Sequence, residues 1–193
     1  FYKSQKTEFF FEKLTSNTKT DFSRYNYFYA KYLVNSGKIN KAKEILNSSL
    51  ELYPRNLVLK QYKLDLNNRN LKIDNNFNCQ NQTHVISEIL YIVANVLSSQ
   101  SLYNFSNFYL NLAKYLNKDF HSYNTLLAEN FLKINNLDKA KKIYTEIGKQ
   151  GSFFLWYATK KNAQILIKEE KEEKAIKLVN KIYKKFLEKG IYE

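Results

Sequence analysis

One string recurs along the chain. NNLDKAKKIY at Asn135–Tyr144 is nearly GKINKAKEIL at Gly37–Leu46, and a more divergent form, EEKEEKAIKLV, stands at Glu169–Val179. A catalytic loop is seldom present three times in 193 residues. A structural unit that stacks on copies of itself has to recur. Aligning the strings superposes Ala42, Ala140 and Ala175; Ser106 lies 34 residues before Ala140, and Ala175 lies 35 after it. Each has a small partner 12 positions earlier: Ala30, Ala94, Ala128 and Ala163. Small side chains at fixed places in two successive helices let the helices cross closely. The period therefore predicts a helix–turn–helix unit in four full copies.

Apolar residues follow helical spacing almost throughout. They predict helices near Gln5–Leu14, Phe22–Asn35, Ile39–Tyr53, Asn56–Leu66 and Val85–Ser99. Five more are predicted near Leu102–Leu116, Phe120–Ile134, Asp138–Lys149, Ser152–Lys168 and Lys171–Glu188. With four Gly and one Pro in the whole chain, hairpins lack their turn residues. The expected fold class is all-α: an α-solenoid of antiparallel helix pairs, about ten helices, in one domain over residues 1–193. The segment 67–83, NNRNLKIDNNFNCQNQT, is expected to interrupt it as an irregular loop, because Asn side chains compete for backbone hydrogen bonds and favour turns.

In this register the chain resembles the tetratricopeptide repeat (TPR) family, which wants small residues at three fixed places, Gly or Asn at the inter-helix turn and Pro near the end. The copy Ser23–Asn56 supplies Ala30, Gly37, Ala42, Ser49 and Pro54. Ser87–Phe120 supplies Ala94, Ser106 and Ala113; His121–Phe154 supplies Ala128, Asn135 and Ala140; Trp156–Lys189 supplies Ala163 and Ala175. The family's early aromatic is replaced by Asn26, Leu90, Asn124 and Thr159. Leu57–Ile86 keeps one helix and then dissolves into the Asn-rich loop, and Gln5–Leu14 matches the second helix of a still earlier repeat. The order of these pieces resembles the C-terminal half of long bacterial TPR proteins over roughly Arg24–Tyr183. That resemblance, with a chain opening on Phe1 rather than Met, implies a missing N-terminal solenoid against which this piece packs.

The resemblance also implies a function. First helices of TPR units line a concave groove, which maps here onto Arg24, Tyr27 and Lys31, then Tyr91, Asn95 and Ser98. Thr125 and Glu129 follow, then Tyr157, Lys160 and Gln164. The expected role is a protein–protein interaction scaffold that holds a peptide or helix of a partner, with no cofactor. The Lys/Asn/Arg set with which some TPR proteins clamp a C-terminal carboxylate is missing, so chaperone tails are not the expected ligand. Tyr29, Phe108, Tyr109, Phe131 and Tyr144 are expected in the packing between repeats. In the last helix Ile176, Val179, Ile182, Tyr183 and Phe186 alternate with lysines, as an end cap would.

Other classes find less support. A lone cysteine, Cys79, and two distant histidines, His84 and His121, leave no multi-cysteine zinc site and no nucleophile–base pair. Glu169, Glu170, Glu172 and Glu173 fall on a turn, where solvation is expected. No apolar run is long enough to span a membrane, and the compartment stays open. The net charge of +13 suits a polyanion, but the lysines spread over many helices, and a Lys-, Asn- and Ile-rich composition is what an AT-rich genome encodes. Two alternatives remain: an RNA-binding helical repeat of pentatricopeptide type, carried by HSYNTLLAENFLKINNLDKAKKIYTEI, or a structural segment that packs against the rest of its own chain or self-associates, with Phe9, Phe10 and Phe11 as the cut face of a longer solenoid. The strict tandem array that base-by-base reading needs is broken here, which disfavours nucleic acid.

Overall fold

The computed structural model describes residues 6–16, 21–68, 77–78, 80–119 and 122–188. Among them lie ten α-helices. α1 (Thr7–Thr15), α2 (Ser23–Asn35), α3 (Ile39–Leu52) and α4 (Leu57–Asn67) belong to one compact unit, Phe1–Gln82. α5 (Gln82–Ser99), α6 (Tyr103–Leu116), α7 (Ser122–Lys133), α8 (Leu137–Ile147), α9 (Ser152–Lys168) and α10 (Glu172–Glu188) form a second, Thr83–Glu193. The protein is an all-α helical repeat, and the predicted helix bounds agree with the observed ones to within three residues. Cys79, His121 and most of the Asn-rich stretch lie outside the described residues.

The repeat register explains the architecture. In the pairs α2/α3, α5/α6, α7/α8 and α9/α10, the first member is here the A helix and the second the B helix. The paired small residues are all buried: Ala30 with Ala42, Ala94 with Ser106, Ala128 with Ala140, and Ala163 with Ala175. How closely the backbones approach is visible at Ser106, whose hydroxyl donates to the Ala94 carbonyl at 2.8 Å.

Each pair is joined by the same turn. The last carbonyl region of every A helix accepts from a residue five positions on: Lys38 to Leu33, Leu102 to Leu97, Asn136 to Phe131 and Lys171 to Leu166, at 2.8–2.9 Å. The residue before each donor is left-handed: Gly37 (φ 76°), Ser101 (φ 63°), Asn135 (φ 59°) and Glu170 (φ 60°). These are Schellman motifs. Gly37 and Asn135 were legible as turn residues; Ser101 and Glu170, with side chains that resist this geometry, were not.

In the first unit, Phe11 of α1 stacks on Tyr29 at 4.9 Å. Tyr27 meets Tyr62 of α4 edge-on at 5.3 Å, and Phe28 packs on Phe77 at 5.1 Å. Asn56 caps α4 by accepting from Leu59 N–H at 3.1 Å and donates to Ser23 at 2.9 Å. Two expectations about packing need correction. Phe108 is exposed rather than in the core, because it lies on the outer side of α6, away from α5 and α7. In α10 only Phe186 of the predicted apolar stripe is fully buried, against Trp156, while Ile176 and Tyr183 face outward.

Candidate functional site

The A helices of the second unit lie side by side. Ser87 and Tyr123 share a hydroxyl–hydroxyl hydrogen bond, and Tyr91 meets Tyr123 edge-on at 5.4 Å, which sets α5 against α7. Tyr157 donates to Glu129 at 2.6 Å, with Lys161 Nζ 3.5 Å from the same carboxylate, which sets α9 against α7. This row brings together Tyr91, Asn95, Ser98, Thr125, Glu129, Tyr157, Lys160 and Gln164. Among them Asn95, Lys160 and Gln164 are exposed and the rest are half-buried.

Several of these side chains are engaged within the fold. Ser98 donates to Asn130 Oδ1 at 2.7 Å. Asn130, almost fully buried, donates in turn to Ser106 at 2.7 Å and to Asn107 at 3.0 Å. Ser98 thus belongs to a satisfied polar network under the face, and Asn130, which the repeat pattern does not mark, is its hub. Asn95 donates to the Tyr91 carbonyl one turn back at 2.9 Å.

Around Glu129 the chemistry is that of recognition. Burial first, then the bond to Glu129, pushes the Tyr157 hydroxyl far above the ordinary phenol range, so it stays protonated and donates. Burial does the same to Tyr144, whose ring lies edge-on to Tyr157 at 5.9 Å. Lys161 sits 5.5 Å over the Tyr157 ring, and Lys160 lies 5.5 Å over Trp156. The result is one carboxylate engaged by Lys161 and by the neutral Tyr157 phenol, with the fully buried Tyr144 ring against Tyr157. Such a face can donate to and accept from a peptide.

The first unit carries the other three expected residues. Arg24 lies 5.5 Å over the Phe28 ring, and Lys31 is half-buried on the same helix. Tyr27 is buried at 8% exposure, its ring taken up by Tyr62, so it packs α2 on α4 and does not line an open face. His84 is half-buried near the start of α5. The solvated carboxylate expected at Glu169 is instead paired with Lys141 at 2.7 Å and Lys171 at 2.9 Å. The Lys141 bond, then the Lys171 bond, lowers its pKa.

Among the described residues no group of three or more His, Cys, Asp or Glu is placed to hold a metal ion, and no helix is long and apolar enough to cross a membrane. No family model matches the chain, and no curated protein or solved structure matches it either.

Proposed function

We propose that this chain is a TPR-type interaction scaffold whose A-helix face binds an extended peptide or helix of a partner protein. The observation that carries the reading is the row α5–α7–α9. Three equivalent helices, each joined to its B helix by the same turn, present exposed Asn95, Lys160 and Gln164 around the half-buried Tyr91, Thr125, Glu129 and Tyr157. Peptides are held on such preformed faces by side-chain hydrogen bonds and stacking, with specificity set by a few polar anchors. Rigid repeats keep those anchors in place before the partner arrives, which limits the entropy lost on binding.

The test is affinity capture from source-cell lysate, with and without nuclease. Asn95→Ala/Lys160→Ala/Gln164→Ala serves as the comparison, since these exposed changes leave the packing intact. The expected outcome is a protein retained by the wild type after nuclease and lost by the variant. Capture of RNA that disappears with nuclease, or of a protein the variant holds equally well, would overturn the reading.

A further inference from the structure

The B helices share an outward row, and α6 breaks its pattern. On α8 and the 3-10 turn that follows it the row reads Lys139, Lys142, Glu146, Lys149, all exposed. On α10 it reads Lys174, Lys177, Lys181, Lys184, and on α3 Lys41, Glu44, Ser48, Glu51. At the equivalent places α6 carries Phe105, Phe108, Leu112 and Tyr115, with Phe105 64% and Tyr115 76% exposed. Spacings of three, four and three residues put these four on one stripe. The charged side chains that would solubilise such a helix are missing. α5 and α6 together hold one acid, the buried Glu88, and one base, Lys114.

Stacking of repeats does not cover this stripe. α8 has a helix pair on either side of it within the second unit, and its own row stays exposed. By the register of α8, the α6 row is outer surface within the second unit; on α3 the first place of the row, Lys41, instead reaches Glu8 and Glu12 of α1. Beside it in chain order come the lysine rows of α8 and α10.

We propose that the α6 row docks the protein on an anionic bilayer. Phe and Tyr rings on one helix face reach roughly 5–10 Å into the headgroup and acyl boundary. Lysines at the equivalent outward places of α8 and α10 meet the negative surface potential, which decays over about a Debye length. A second copy of the chain fits less well. Two-fold pairing through α6 brings the lysine rows of two copies toward each other, which like-charge repulsion disfavours.

Co-sedimentation with vesicles tests this, using phosphatidylcholine alone and phosphatidylcholine mixed with phosphatidylglycerol. Roughly ten-fold stronger binding to the anionic vesicles is expected, weakened by salt. Phe105→Ser/Phe108→Ser and, separately, Lys177→Ala/Lys181→Ala should each lower it several-fold, with unchanged helical circular dichroism. Absence of binding to anionic vesicles overturns the proposal. So does binding that survives loss of both phenylalanines, which would mean adsorption by lysines alone. A dimer in light scattering that Phe105→Ser/Phe108→Ser dissociates would assign the stripe to self-association. Binding to single-stranded RNA lost in that variant, with vesicles ignored, would assign it to bases.

Discussion

Gly37, Ser101, Asn135 and Glu170 occupy one structural position in four settings, and only the first is free of a Cβ penalty. An L side chain in the left-handed region costs about 1 kcal/mol or more, less for Asn. A Cβ added at Gly37 meets nothing within 4 Å, so Gly37→Ala should lose about 1 kcal/mol for backbone reasons alone. Conversely, Ser101→Gly and Glu170→Gly should each gain about 0.5 kcal/mol, because relief of strain outweighs the added freedom of the unfolded chain. Urea unfolding of the three variants measures all of this. Destabilisation by either glycine would show that the turn is held by the side chain and not tolerated despite it.

At the scale of elements, α1 is tied to its neighbour by charge. Glu8 accepts from Lys38 and from Lys41 at 3.1 Å, and Glu12 accepts from Lys41 at 2.7 Å. The Lys38 bond, then the Lys41 bond, lowers the Glu8 pKa; the Lys41 bond does so for Glu12. A carboxylate depressed in the folded state stabilises above its unfolded value of about 4.3, and that contribution is lost as pH falls through the folded value. On acidification below about pH 4, amide protection of Thr7–Thr15 should fall before that of Ile39–Leu52. Parallel loss in both helices would refute this. The helices themselves were legible because burial follows the 3.6-residue period from Tyr29 and Leu33 to Tyr144 and Ile147. The candidate site was less so. The repeat register places Ser98 beside the groove and does not mark Asn130, and no pattern in one chain reveals that they bond to each other. Tyr27 failed for the opposite reason, since a polar tip on an aromatic body suits a groove and a core equally. The α6 row becomes visible only once the four B helices are superposed.

The whole molecule divides unequally between its two units. Residues Thr83–Glu193 hold three complete helix pairs, whereas Phe1–Gln82 holds one pair and two single helices. Repeat stability grows with the number of stacked neighbours, and about three units are needed for a robust array. The only tryptophan, Trp156, stands on α9, so its fluorescence reports on the second unit while far-UV circular dichroism reports on both. In urea the fluorescence midpoint should lie above the dichroism midpoint; coincident curves would mean a single cooperative transition. Arrays of similar parts also face a problem of identity, since α7 and α9 offer comparable backbones to the same neighbour. Where α7 carries Asn130, α9 carries Ile165. Were α9 to dock on α5 and α6 in its place, Ser98 and Asn107 would be left facing an aliphatic chain with no partner. The hydrogen bonds of Asn130 thus act as a key cut for one lock, rejecting mis-ordered stacking while the chain is still choosing its neighbours.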